Sequence, residues 1–147
     1  MKSFSFLLLV AGAWLASVAS MGRAADPAKD ELQGVWVAAS GETNGKPVPA
    51  KDVERIRFTF KGEKLLVRGA RDEDKEEEGT FKTDPKKSPR HLDITLKDKT
   101  LHGIYEVKGD ELKICFENGG KAENRPTKFV TNKENEEVLM VFKRQMP

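Results

Sequence analysis

The chain has 147 residues, of which 37% are hydrophobic and 34% are charged, and this length suits one folded domain. Its formal net charge of +2 depends on Lys2 and Arg23, because removing these two from the 26 basic residues leaves 24, which balance the 24 acidic ones. A neutral chain lacks the basic face that displaces counterions from a phosphate backbone. Nucleic acid is therefore excluded as the expected partner.

Residues 1–25 have the parts of a signal peptide. A basic residue precedes an apolar run over residues 4–18, and small residues at Ala19 and Ala25 offer two cleavage positions. An uncleaved membrane anchor is the competing interpretation, but a glycine and a serine interrupt a run that is already short for a span. We expect an exported protein, periplasmic or secreted, in which residues 26–147 form one domain with no membrane segment.

The domain opens with a Gly-x-Trp pattern at Gly34 and Trp36, inside the first predicted strand over residues 32–40. A glycine at this position lets the backbone approach a neighbour closely, and the indole can close one end of a core. The Pro-rich residues 45–49 do not suit a central strand. Residues 49–55 are predicted to form one helical turn across an open barrel end.

A hairpin is predicted next. Phe58 and Phe60 alternate with charged or polar neighbours, as in a strand with one buried face, and a turn at Gly62 leads into a second strand over residues 64–69. Residues 70–78 are the most charged stretch of the chain. Their carboxylates could attract Ca²⁺, but they lack the spaced ligands of a calcium loop, so a solvated tip or a charge-protected edge is favoured and no metal is expected.

The second half repeats the alternating pattern between turn residues. Further strands are predicted over residues 79–83, 91–97, 100–107, 111–117, 127–131 and 137–144. Together with the first three, these nine runs predict an all-β fold, a small antiparallel up-and-down barrel of about eight strands with at most one short helical turn.

Cys115 is the only cysteine, so no intramolecular disulfide can form. Strand parity places it on the face opposite Leu112, Ile114 and Phe116. We expect it to be a small buried side chain rather than a reactive thiol.

Several sequence blocks resemble the lipocalin superfamily. Gly34 and Trp36 on the first strand and Arg144 at the end of the last are similar to the lipocalin pair in which a Trp packs against an Arg at the closed end of the barrel. The chain more closely resembles a lipocalin-like family of unknown function that is expanded in planctomycete bacteria. The similar blocks are residues 32–36, 45–49, 79–81, 103–106, 109–115 and 125–127. The resemblance implies a fold, export and barrel closure by Gly34, Trp36 and Arg144, but no reaction.

Catalytic motifs are scarce. His91 and His102 are the only histidines, their spacing does not suit a metal, and no serine lies in a Gly-x-Ser-x-Gly elbow. We expect both histidines to be solvated, and we expect no enzymatic activity and no cofactor.

Three hypotheses remain, of which an enzyme on the same scaffold is the third and lacks any named catalytic set. The first is binding of a small apolar molecule inside the barrel, because inward-facing bulky side chains could line a cavity. The residues assigned to that lining are Phe58, Phe60, Phe81, Ile94, Tyr105, Ile114, Phe116 and Phe129. The alternative is an interaction or envelope-associated module whose side chains fill the barrel, since eight strands leave little interior space.

Overall fold

A computed structural model describes residues 27–70 and 75–146. Within these ranges, eight strands form a closed antiparallel barrel, and a two-residue strand, β2, pairs with the last two residues of the first strand. The last barrel strand pairs with the first, which closes the barrel and confirms the predicted fold. The strands are β1 (Gly34–Thr43), β2 (Lys46–Pro47), β3 (Arg57–Lys61), β4 (Lys64–Arg68), β5 (Glu76–Asp84), β6 (Arg90–Leu96), β7 (Lys99–Lys108), β8 (Glu111–Glu117) and β9 (Glu137–Arg144).

Alternation along the strands separates the core from the outer surface. In β3, for example, Phe58 and Phe60 are buried while Arg57 and Lys61 are exposed. The inward-facing side chains from all eight barrel strands meet in one apolar cluster. In β1 the register with β9 shifts between Ala38 and Ser40, and this bulge changes which residues of the strand face the core.

Short helices lie at the two ends of the barrel. Helix α1 (Pro27–Leu32) precedes β1, and its last residue, Leu32, is fully buried in the core at what we call the closed end. Helix α2 (Ala50–Val53) connects β1 with β3 at the opposite, open end, where Val53 is buried. The predicted turn over residues 49–55 is thus present as α2, whereas α1 was not anticipated from the sequence.

The predicted strand over residues 127–131 is wrong. Strands β8 and β9 pair directly with each other, so no further strand can lie between them. Residues 118–136, which we call the strap, instead form an irregular connection with one 3-10 turn (Ala122–Asn124). The Pro-rich segment predicted to avoid a central strand contributes only β2, at the edge of the sheet. The predicted signal peptide and the acidic residues Asp72 and Asp74 lie outside the described residues.

Candidate functional site

Six of the eight residues assigned to a ligand cavity lie deep in the core. Phe58, Phe60, Phe81, Ile94, Tyr105 and Ile114 are all buried. The aromatic rings contact one another across the interior: the ring centroids of Phe58 and Phe142 are 4.6 Å apart, and those of Phe60 and Phe81 are 4.8 Å apart. These distances are typical of packed aromatic pairs. In the middle of the barrel, these side chains therefore pack against each other.

The seventh residue, Phe116, lies nearer the open end. It is half-buried, as are three other inward-facing residues on neighbouring strands: Leu96, Leu101 and Val138. The register places Phe116 opposite Val138, and Leu101 lies opposite Ile94, two residues before Leu96. These four residues, which we call the apolar arc, extend across β6 to β9 and pack on the edge of the core.

The eighth residue, Phe129, lies outside the barrel interior. It belongs to the strap, and the Lys113 ammonium on the outer face of β8 is 5.6 Å from its ring centroid. Its predicted alternation depended on a strand over residues 127–131 that does not form. Phe129 therefore stands apart from the other aromatic residues of the predicted set.

The residues predicted to close the barrel do meet at the closed end. The guanidinium carbon of Arg144 is 4.2 Å from the centroid of the Trp36 ring, and the two residues are paired in the β1–β9 ladder. Arg144 also donates to the carbonyls of Glu31 and Gln33 at 2.9 and 2.8 Å, and the indole Nε1 donates to Leu32 at 2.8 Å. These carbonyls lie at the end of α1, where a helix leaves backbone acceptors without helical partners.

Gly34 allows this arrangement. Its φ of +118° lies in a region that side-chain-bearing residues rarely adopt, and a Cβ there would lie 3.3 Å from Arg144 Nη1. The Gly-x-Trp pattern thus lets the chain turn from α1 into β1 beside the Arg144 side chain.

A polar cluster that the sequence did not reveal lies on the outer wall. Asp93 Oδ1 is 2.7 Å from Arg125 Nη2 and 3.1 Å from His102 Nδ1, and Arg125 Nη1 donates to the Gly103 carbonyl at 2.7 Å. Asp93 and His102 are opposite each other in the β6–β7 ladder, but Arg125 arrives from the strap. The expectation that His102 is merely solvated is therefore wrong, because its ring is part of a partly buried ion-pair network.

His91 lies next to this cluster and remains partly exposed. Desolvation and the positive charges of Arg125 and Lys87 lower the pKa of its imidazole, although Asp84 and Asp93 oppose the shift. The neutral ring is thus favoured in the folded protein. The threonine hydroxyls on the same strands, Thr95 and Thr100, are 3.1 Å apart and bond to each other. The Arg125 contacts with Asp93 and the Gly103 carbonyl anchor the strap to this wall.

A second anchor holds the far end of the strap. Thr131 donates to Glu42 Oε1 at 2.6 Å and accepts from the Gly45 amide at 3.0 Å. Between the anchors, the strap covers the outer faces of β7 and β8, where Ile104 and Cys115 are completely buried. Burial, together with the negative charges of Glu137 and Glu42, raises the pKa of the Cys115 thiol to about 12, against a backbone hydrogen bond at Val130 that lowers it. The expected burial of Cys115 is confirmed.

Clefts on the outer surface flank the strap. One of about 460 Å³ has an acidic lining that includes Glu117, Glu134 and Glu137. Burial raises the pKa of the Glu137 carboxyl, opposed by a hydrogen bond from Asn135. Both Glu117 oxygens accept backbone N–H groups, from Gly119 and Lys121. Across residues 27–70 and 75–146, no three His, Cys, Asp or Glu side chains are grouped so that they could hold a metal ion.

Strand order and closure define the class of fold, an eight-stranded up-and-down antiparallel barrel that is compatible with the lipocalins. No protein-family model, curated protein or solved structure matches the chain. The resemblance to a planctomycete lipocalin-like family thus stays a prediction. In the part of the chain that the structure describes, no helix is long and apolar enough to cross a membrane.

Proposed function

We propose that the protein is an exported, non-enzymatic binding protein that holds a small apolar molecule at the open end of its barrel. The observation that carries this proposal is the apolar arc. Leu96, Leu101, Phe116 and Val138 are adjacent, face the barrel axis and are only half-buried, so they combine apolar surface with access. Small-molecule sites are common at the mouths of β-barrels and are lined mainly by apolar side chains.

The packed interior supports a site at the mouth rather than in the middle of the barrel. Phe58, Phe60 and Phe142 fill the middle of the barrel, and a ligand that reached them would have to displace packed rings. At the open end, α2 places Val53 against the β1 side of the core, so the arc on β6 to β9 is the apolar surface available. The apolar leader supports export.

The test is a titration with palmitate, retinol and an environment-sensitive fluorescent probe, comparing Leu101→Ser with Leu66→Ser. Both leucines are half-buried, but Leu66 lies on the outer face of β4. Leu101→Ser should weaken binding about five- to tenfold, because about half a leucine side chain is lost from the contact, whereas Leu66→Ser should leave affinity unchanged. Equal effects of the two substitutions would contradict a site at the apolar arc.

A second function is favoured by the filled interior itself. If the aromatic contacts leave no room for a ligand, the protein is an interaction or envelope-associated module with a solid barrel core. Folded wild-type protein that binds none of the three probes would support this function over the first. Phe58→Leu provides the positive control, because removing part of a buried ring opens space in which a small apolar gas such as xenon can bind.

A further inference from the structure

A cleft at the closed end has an apolar floor and a basic rim. It is a shallow cleft bordered by the turn between β5 and β6, the last residues of β7 and the strap, and its volume is about 480 Å³. We call it the basic cleft. Its lining residues are Lys87, Ser88, Pro89, Arg90, Tyr105, Glu106, Val107, Lys108 and Phe129.

The position of the basic cleft follows from the strand register. The β6–β7 ladder begins with the Arg90–Tyr105 pair, so residues 106–108 of β7 extend beyond β6 towards the turn at residues 85–89. Phe129 reaches this place because Arg125 fixes the strap against β7 four residues earlier. Three half-buried apolar side chains border the basic cleft: Pro89, Val107, which packs against the core from β7, and Phe129, which lies on the outer side of the wall.

Charge in the basic cleft is unbalanced, although the chain without its leader is neutral. Lys87, Arg90 and Lys108 supply three positive charges against two carboxylates, Glu106 at 3.1 Å from Lys108 and Glu31 beside Arg90, which leaves a net charge of +1. The guanidinium carbon of Arg90 is 4.6 Å from the Tyr105 ring centroid, and Glu31 pairs with Arg90 at 2.9 Å. The pKa of neighbouring His91 is lowered first by desolvation and then by the positive charges of Arg125 and Lys87, against the opposing charges of Asp84 and Asp93.

We propose that the basic cleft binds a small anion that carries a flat apolar group, such as an aromatic carboxylate. Phe129, Pro89 and Val107 would contact the ring, and the exposed ammonium groups of Lys87 and Lys108 would hold the carboxylate. The volume suits a molecule of this size, and the positive rim selects its charge. This site lies at the closed end of the barrel, opposite the apolar arc, so it goes beyond the proposed function.

The probe is 2-naphthoate, followed by amide chemical-shift mapping of the full chain, with 2-naphthalenemethanol as a neutral ligand of the same shape. Saturable shifts should appear at the amides of residues 87, 88, 90, 105–108 and 129. The alcohol should bind about tenfold more weakly because it lacks the charge. Lys87→Gln should weaken naphthoate binding about two- to fivefold, as expected for one partly solvated ion pair.

Lys61→Gln is the matched control, since Lys61 is an exposed lysine at the same end of the barrel, on β3. It should leave naphthoate affinity unchanged. Equal affinities for the acid and the alcohol, equal effects of the two lysine substitutions, or no saturable shift would each overturn the proposal. Phe129→Ala should also weaken binding by about fivefold, with an unchanged far-ultraviolet circular dichroism spectrum as proof of an intact barrel.

The palmitate titration of the apolar arc is independent of this result. Naphthoate shifts confined to Leu101, Phe116 and Val138 would overturn the basic cleft and support the mouth site. Loss of palmitate binding in Leu101→Ser with unchanged naphthoate binding would support both sites.

Discussion

Trp36 joins the first helix, the first strand and the last strand at the closed end. Its ring packs in the core under the Arg144 guanidinium, and its Nε1 binds the Leu32 carbonyl at 2.8 Å. A stacked cation contributes about 0.5–2 kcal/mol, depending on its burial. The larger contribution is the burial of the indole itself, because Trp36 is fully buried. Its role is therefore structural.

Trp36→Ala is expected to lower the free energy of unfolding by about 3–5 kcal/mol, as large core truncations do. Denaturant unfolding followed by circular dichroism measures this loss. Trp36→Phe is the matched variant: it keeps much of the apolar volume but loses the hydrogen bond to Leu32, so its loss should be smaller. Ligand preference in any folded fraction should be unchanged. An unaltered unfolding midpoint for Trp36→Ala would mean that Trp36 does not contribute to the core.

The strap is the element that gives the barrel an outer layer. It is held at one point by Arg125 on Asp93 and the Gly103 carbonyl, and at another by Thr131 on Glu42. Side-chain hydrogen bonds, rather than a ladder of backbone pairs, fasten this segment to the wall. Segments held in this way open at a lower free energy than the strands beneath them. Cys115 lies under the strap and therefore reports on its opening.

Arg125→Gln is expected to accelerate labelling of Cys115 by a disulfide reagent about tenfold or more. The substitution removes charge-assisted bonds worth about 1.5–3 kcal/mol, which raises the population of the open strap. Labelling is measured on folded protein near pH 8, and wild type should react far more slowly than a free peptide thiol. Lys128→Gln, an exposed position on the strap, is the control and should behave as wild type. Equal labelling of Arg125→Gln and Lys128→Gln would show that Arg125 does not hold the strap.

At the scale of the whole molecule, stability comes from one packed core without a disulfide. Eight strands close without a gap between β1 and β9, so the apolar cluster is continuous around the barrel. The ionisable thiol of Cys115, buried under the strap, makes the stability of the fold sensitive to alkaline pH. The pKa of Cys115 is raised from its ordinary value of 9.0 to about 12, so the folded state keeps a proton that the unfolded chain releases.

Stability should therefore fall between pH 9 and pH 12 through Cys115, by at most about 1.4 kcal/mol per pH unit. The sign follows from proton binding, because the folded state binds more protons than the unfolded state in that window and rising pH favours unfolding. Denaturant unfolding at several pH values measures the slope. Cys115→Ala should reduce this slope. At pH 8, its stability should differ from that of wild type only through the packing contacts of the lost sulfur atom. Identical slopes for the two proteins would contradict the buried, neutral thiol.

Local patterns predicted the barrel wall well. The alternation in Phe58 and Phe60 and in Leu112 and Ile114 depends on neighbours two residues apart, so the buried face of each strand could be read directly. The same rule failed for residues 127–131, where alternating residues lie in the strap. An extended segment becomes a strand only if it has a pairing partner. Since β8 and β9 pair with each other, residues 127–131 have no place between them.

By itself, the sequence determined an all-β chain, the turns, the inward face of each strand and the buried side of Cys115, because these depend on short-range periodicity and backbone preferences. Only the tertiary structure decided that six of the predicted cavity residues pack against each other, that Arg125 joins Asp93 and His102, and that Phe129 lies in an outer cleft. These contacts join residues far apart in the chain, so they depend on the strand register and on the path of the strap. For Gly34, Trp36 and Arg144, the sequence-based prediction and the structure agree, since the Trp36–Arg144 pair joins the first and last strands of the barrel.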